Sequence, residues 1–186
     1  MTSSPGSPGD RVLTASLIAA PVVYLVADSL YAARGWNDPT AAVLHVLGAT
    51  AYALVLVRLL TLTDGALGAA LLIVGALGVA GNVAYGFNTI HVSLGDTDLV
   101  DASGAANLIK PLGLCFPLTL LLAAFVVRRT GPLWNTALLG VASIAWPVAH
   151  IANIAWLAVA VNVALVVAFA TVAVTAFRTP ARVAAA

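Results

Sequence analysis

Six apolar stretches dominate the chain, and each is close to the ~20 residues that an α-helix needs to cross a bilayer. They cover residues 12–33, 41–62, 66–87, 105–127, 133–151 and 155–177. Short segments that contain Gly, Pro, Asp or Asn separate them, and such residues interrupt regular structure. The pattern predicts an all-α integral membrane protein, with a six-transmembrane-helix bundle forming one domain over residues 11–178.

The two ends of the chain differ from this apolar region. The first ten residues, MTSSPGSPGD, are rich in Ser, Pro and Gly. Such a composition cannot bury enough apolar surface to order itself. We therefore expect a disordered tail over residues 1–10 and a short C-terminal tail over residues 179–186.

Composition narrows the class of protein further. Hydrophobic types make up 62% of the 186 residues and charged types 8%, whereas a soluble domain carries roughly 25% charged residues. This excludes a soluble globular domain, and it excludes a nucleic-acid-binding protein, which needs a basic face. Cys115 is the single cysteine, so neither a disulfide framework nor a thiolate metal cluster forms within the chain.

The positive charges predict the orientation of the bundle. Loops on the cytoplasmic side of membrane proteins are enriched in Lys and Arg. With the N-terminus inside, six of the eight positive residues fall on the cytoplasmic side and two, Arg34 and Lys110, on the other. The six are Arg11, Arg58, Arg128, Arg129, Arg178 and Arg182. We expect a multi-pass protein of the cell membrane with both termini cytoplasmic.

Polar and aromatic residues collect toward the outer ends of the six spans. Tyr24, Asp28 and Tyr31 are spaced by four and three residues and so share one helix face. A polar group that faces lipid is costly, so these faces should point into the bundle. The sequence predicts a pocket open toward the extracytoplasmic leaflet. Its candidate substrate-binding residues are Tyr31, Trp36, Asn82, Tyr85, Asn107, Lys110, Trp146, Asn153 and Trp156.

Three residues are candidates for catalysis: Asp28, His45 and His150. Apolar surroundings disfavour a carboxylate anion, and a neutral carboxyl is a proton donor, so Asp28 is the candidate acid. His45 or His150 would act as a base or position the substrate. The alternatives are a hydrated or capping Asp28, and histidines that pack by hydrogen bonds or ligate a haem iron axially.

Other residues also admit two interpretations. Lys110 either binds an anionic group or snorkels to the interface. The tryptophans form either a pocket wall or an interfacial belt. The loop predicted over residues 88–104 is either a lid or an ordinary solvated loop. The histidine spacing matches no metal motif, so we expect neither a metal nor a cofactor.

A family resemblance rests on residues 112–153. They contain GLCFPLTLLL, a basic pair, GPLW and WPVAHIAN. This stretch resembles small actinobacterial multi-span membrane proteins, a class that includes membrane-bound terpene cyclases of natural-product clusters. The resemblance implies an isomerase- or lyase-type enzyme of isoprenoid biosynthesis. It carries no catalytic residue over to this chain, which lacks the Glu that the fungal-type membrane cyclases use.

Three functions follow as hypotheses. The first is a membrane-embedded enzyme acting on a lipophilic substrate, most concretely by acid-initiated cyclisation of an isoprenoid. The second is a protein that binds or transports a lipid or small molecule, for which polar residues should continue to the cytoplasmic face. The third is a haem- or quinone-binding protein, which a visible spectrum would reveal.

Overall fold

The structure is a computed structural model that describes residues 6–178, with side chains described as far as Thr175. Within this range it contains helices and no strand, which confirms the all-α prediction. The six α-helices are α1 Pro8–Arg34, α2 Pro39–Leu60, α3 Gly65–Ser93, α4 Ile109–Val127, α5 Leu133–Ile151 and α6 Ala155–Arg178. A short 3₁₀ helix, Gly104–Leu108, leads into α4.

The first helix begins earlier than the sequence predicts. Pro8 is its first residue, and the Ser7 hydroxyl accepts a hydrogen bond from the Asp10 N–H at 3.1 Å. Ser at the N-cap and Pro in the first turn are both favourable helix-starting residues. Residues 8–10 are therefore helical rather than part of a disordered tail. Residues 1–5 and the predicted tail over 179–186 lie outside the described residues.

The third helix ends later than predicted. It continues to Ser93, so the prediction of a loop over residues 88–104 is wrong for residues 88–93. Polar side chains suggested a loop there, but the Thr89 hydroxyl donates to the Tyr85 carbonyl at 3.1 Å, one turn back in the same helix. The left-handed residue Gly95, with φ of 94°, lies just past the helix end, where helices commonly terminate on glycine.

The helices form a closed ring in chain order. Each packs on its neighbours along the chain, and α6 packs on α1. Successive helices run in opposite directions, so α1, α3 and α5 begin where α2, α4 and α6 end. We call this the terminal end of the bundle, and the opposite end, where α2, α4 and α6 begin, the cavity end.

Small residues bring α3 and α4 into backbone contact. A Cβ atom on Gly78 would lie 2.9 Å from the backbone nitrogen of Phe116, and one on Gly81 would overlap the backbone of Leu112. Glycine at such positions lets membrane helices approach closely.

The terminal half of the bundle is filled by apolar side chains, and we call it the packed half. Its fully buried members come from all six helices. They are Leu17, Val55, Leu59, Leu71, Leu120, Val126, Leu139, Leu165 and Phe169. At its rim, Arg58 and Asp10 form an ion pair at 2.9 Å.

Five of the described helices are long and apolar enough to cross a membrane: α1, α2, α3, α4 with its 3₁₀ turn, and α6 as far as Thr175. Large apolar residues such as Ile73, Val141 and Ile144 are exposed on the outside of the ring, where lipid tails would cover them. The chain is therefore a multi-pass helical membrane protein associated with the bilayer. The remaining helix, α5, carries polar residues such as Asn135 and His150 among its apolar ones.

Candidate functional site

A cavity of about 500 Å³ lies at the cavity end, within the range of roughly 300–1,000 Å³ that small-molecule sites occupy. Residues of α1 to α5 and of their connections line it. They are Tyr31, Trp36, Asn37, His45, Asn82, Tyr85, Asn88, Thr89, Asp98, Val100, Lys110, Gly113, Leu114, Trp146, His150, Ile151 and Asn153.

Most of the residues that the sequence proposed lie at this cavity. Nine of them line it: Tyr31, Trp36, His45, Asn82, Tyr85, Lys110, Trp146, His150 and Asn153. Two do not. Trp156 is 73% exposed near the start of α6, which suits a membrane-interface residue. Asn107 is an exposed residue of the 3₁₀ helix.

Asp28 does not line the cavity and lies behind one of its walls. It is fully buried. Its Oδ2 accepts a hydrogen bond from Asn162 Nδ2 and lies 3.1 Å from His150 Nε2, so that α1, α5 and α6 meet at one oxygen. The side chain of Lys110, in contrast, makes no ion pair or hydrogen bond among residues 6–178.

The partners of His150 determine where its protons lie. Nδ1 is 2.9 Å from the Trp146 carbonyl oxygen, which can only accept, so Nδ1 carries a hydrogen. Nε2 and Asp28 Oδ2 then share one further proton. The pair is either an imidazolium with a carboxylate or a neutral imidazole with a carboxylic acid. We call Asp28 and His150 the proton-sharing pair.

Aromatic rings enclose His150. The Trp146 ring is stacked on the imidazole with centroids 4.0 Å apart, and Trp36 meets it edge-on at 5.7 Å. These two rings fix the plane of the imidazole.

A second hydrogen-bond chain includes His45. Asn82 Nδ2 donates to the Gly78 carbonyl at 3.1 Å, so Asn82 Oδ1 accepts from the Tyr24 hydroxyl, also at 3.1 Å. Tyr24 then accepts from His45 Nε2 at 3.3 Å. His45 is therefore protonated at Nε2, and its buried Nδ1 is a lone-pair acceptor without a partner among the described residues.

Tyr24 and Asn162 belong to the hydrogen-bond networks of the site, although neither was among the candidate site residues. Tyr24 can lie flat against α2 because Gly48 has no side chain; a Cβ atom there would overlap the tyrosine ring. The spacing of four residues between Tyr24 and Asp28 was a usable signal. Asn162 has only its position as an amide in an apolar helix to mark it, and its partner on α1 is 134 residues away in the chain.

These bonds bear on haem ligation. An axial ligand needs a free imidazole nitrogen. Both nitrogens of His150 are engaged, whereas His45 contacts Tyr24 through Nε2 and has an Nδ1 that is free within residues 6–178. Among the described residues, no group of three or more His, Cys, Asp or Glu side chains is placed to hold a metal ion.

The rim of the cavity is held by hydrogen bonds. Asn88 donates to Asp98 at 2.8 Å and accepts from the Leu99 N–H at 2.9 Å, which ties the α3–α4 loop to α3. Across the rim, Trp36 Nε1 donates to the Asn153 carbonyl at 3.2 Å. Asn153 adopts a left-handed backbone, with φ of 54°, which asparagine tolerates better than most residues.

Comparisons with protein-family models, curated proteins and solved structures found no match to this chain. The resemblance of residues 112–153 to small membrane proteins therefore stays a prediction.

Proposed function

We propose that all six helices span the membrane, with both termini cytoplasmic and the cavity open to the extracytoplasmic leaflet of the cell membrane. Helix α5 has 19 residues, or about 28 Å at 1.5 Å per residue, close to the ~30 Å hydrocarbon core. Its Asn135, Ser143 and Trp146 are buried in the bundle. Arg58 and Arg128 lie at the terminal end, in support of a cytoplasmic location.

Labelling of single cysteines tests this topology. In a Cys115→Ala background, Asp98→Cys should react with an impermeant maleimide on intact cells, and Arg129→Cys only after permeabilisation. The reverse pattern would overturn the orientation, and labelling of both from outside would remove one span.

We further propose that the protein is a membrane-embedded acid–base enzyme acting on a lipophilic substrate. The observation that carries this proposal is the proton-sharing pair on the cavity wall. Asp28 holds His150 through Nε2. The Nδ1–H of His150 is then the proton that could be donated to a substrate, and its partner is the Trp146 carbonyl of the same helix. A buried carboxylate that orients a histidine is the arrangement of many general acid–base sites.

The reaction that suits this site best is cyclisation of an isoprenoid that carries an epoxide. His150 would donate its Nδ1 proton to the epoxide oxygen as the C–O bond breaks, and a C=C bond would attack the carbon that is released. The last carbocation would lose a proton, which restores the proton-sharing pair, so the product is an isomer of the substrate. An imidazolium is a weak acid, which favours an oxygen over an unactivated alkene as the first proton acceptor.

The walls of the cavity support a cationic intermediate. Tyr31 and Trp36 stack at 5.4 Å beside His150, and Trp146 lies on its other side. Ring faces attract a carbocation as they attract other cations. Apolar side chains make up most of the described interior of the packed half, which favours a one-sided binding protein over a transporter as the alternative.

Product formation in isolated membranes tests the proposal. Membranes should convert an epoxidised prenylated substrate into a cyclic product of the same mass, separated by chromatography and detected by mass spectrometry. His150→Gln should abolish this conversion. His91→Gln, the same change at an exposed residue in the last turn of α3 that pairs with Asp96, should leave it intact. Equal conversion in both variants, or none in the native protein with binding retained, would contradict an enzymatic role.

A further inference from the structure

The wall of the cavity differs in exposure from one side to the other. The residues from α1 to α3 are mostly buried, with Tyr31 4%, His45 5% and Asn82 0% exposed. On α4 and α5, Gly113 and Trp146 are buried as well, but Leu114 is 49% and Ile151 71% exposed. Leu114 and Ile151 thus line the cavity and also lie on the outer surface of the ring. This places an opening between α4 and α5.

The surface around this opening is apolar. Leu118 on α4 and Val148 on α5 continue it along the outside of the bundle, and both are about half exposed. A water-facing mouth would carry polar side chains, whereas lipid tails are the surroundings that suit these residues. The opening therefore faces the hydrocarbon of the bilayer.

Among the described residues that line the cavity, one is a lysine or arginine, and it lies on this side. Lys110 is exposed and has no ion pair or hydrogen bond within residues 6–178. It precedes Leu114 by one helical turn, about 6 Å nearer the cavity end. Asp98, the carboxylate that also lines the cavity, is engaged by Asn88 and the Val100 N–H. An unpaired ammonium beside an apolar opening suits a ligand that joins an anionic head group to an apolar chain.

We propose that the cavity takes up a single-chain anionic amphiphile sideways from the bilayer, between α4 and α5, with its head at Lys110 and its chain passing between Leu114 and Ile151 toward His150. The proposal rests on the proposed function, because the amphiphile would be the substrate on which the enzyme acts in this cavity. Binding energy at a remote head group would position the reacting part of the chain at the proton-sharing pair.

Fluorescence quenching in nanodiscs tests this uptake. The probe is a long-chain alkyl phosphate brominated in its chain, and the protein carries Trp134→Phe and Trp156→Phe, so that Trp36 and Trp146 at the cavity report. We expect saturable quenching. Leu114→Phe and Ile151→Phe should slow its onset about fivefold, since a larger side chain at either position crowds the opening. Leu118→Phe, on the same exposed side of α4, is the matched control and should change nothing.

The head group is tested with the same reporter. Lys110→Gln should weaken binding of the alkyl phosphate about two- to fivefold, as expected for an exposed ion pair. It should not affect the brominated alcohol of equal length, and Lys110→Arg should restore the phosphate affinity. Displacement of the probe by inorganic phosphate would overturn the amphiphile in favour of a free-anion site.

Non-saturable quenching, or equal rates in Leu114→Phe and Leu118→Phe, would overturn the lateral opening. This assay involves no turnover. Saturable binding without any cyclised product would therefore refute the proposed chemistry alone. Turnover, together with unaltered quenching rates in Leu114→Phe and Ile151→Phe, would refute the lateral route alone.

Discussion

The two halves of the bundle differ in the residues that occupy their interiors. In the packed half, leucine, valine and phenylalanine from all six helices fill the interior. In the cavity half, by which we mean the bundle from Tyr24 to the cavity end, the buried residues include Asp28, His45, Asn82 and Asn162. Close packing in one half can hold the helices together while the other half keeps an open volume.

Polar residues of the cavity half also join helices. Asp28 connects α1 with α5 and α6, and Tyr24 connects α1 with α2 and α3. Hydrogen bonds between membrane helices contribute only about 0.6 kcal/mol each on average. The comparison therefore predicts that substitutions in the cavity half mainly alter chemistry, and that substitutions in the packed half mainly alter stability.

The largest expected effect follows from Asp28→Asn. The amide keeps the shape of the carboxyl and can still contact Asn162, but it cannot share a proton with His150 as an acid. Activity should fall about 10²- to 10⁴-fold, the range for lost general acid–base catalysis, with little change in the unfolding temperature. Turnover and thermal unfolding are measured on the same preparation, with Asp96→Asn as the exposed control. A fully active Asp28→Asn protein would remove the pair from the mechanism.

The packed half should respond in the opposite way. Phe169 is fully buried, with its ring 6.0 Å from that of Tyr52. Phe169→Ala leaves a void and should lower the free energy of unfolding by about 3 kcal/mol. Activity per folded molecule should change little. Denaturation in detergent reports the first quantity, and a selective loss of activity without loss of stability would break the division between the halves.

A smaller effect is expected at the rim. Trp36→Phe keeps an aromatic ring beside Tyr31 but removes the hydrogen bond to the Asn153 carbonyl. The loss should cost about 1 kcal/mol of stability and loosen the contact between the α1–α2 and α5–α6 connections. Hydrogen exchange at residues 152–154 should rise. Trp134→Phe, at an exposed tryptophan of the terminal end, is the control and should leave that exchange unchanged.

The smallest effect concerns the ion pair at the terminal end. Arg58 and Asp10 join α1 and α2 at 2.9 Å, with 13% and 22% of their side chains exposed. A double-mutant cycle of Arg58→Gln with Asp10→Asn should give a coupling energy below about 1 kcal/mol, and both variants should keep full activity. A coupling of several kcal/mol would show that polar contacts contribute more to the packed half than the comparison allows.

Sequence periodicity predicts the fold of this chain better than it predicts the site. The apolar stretches indicated six helices because backbone polar groups in lipid must be satisfied within the segment. The end of α3 was missed since Asn88 and Thr89 are polar, yet Thr89 bonds within its own helix. Neighbours along one helix, such as Trp146 and His150, follow from spacing alone.

Contacts between distant helices could not be predicted in this way. The pairing of Asp28 with His150 and Asn162 depends on α6 closing the ring onto α1, which no local pattern encodes. For the same reason Asp28 was expected at the cavity surface, whereas it lies behind His150. The exposure of Trp156 depends on the rotation of α6 in the ring, which neighbouring helices determine.

The most direct test of the account is the protonation of the two cavity histidines. Nitrogen-15 NMR of histidine-labelled protein in nanodiscs, assigned with His150→Gln and His45→Gln, distinguishes N–H from lone-pair nitrogens. The account predicts a protonated Nδ1 in His150, a His150 Nε2 signal that moves in Asp28→Asn, and a His45 that is protonated at Nε2 with a lone pair on Nδ1. A lone pair on Nδ1 of His150, or a His150 spectrum that Asp28→Asn leaves unchanged, would contradict it.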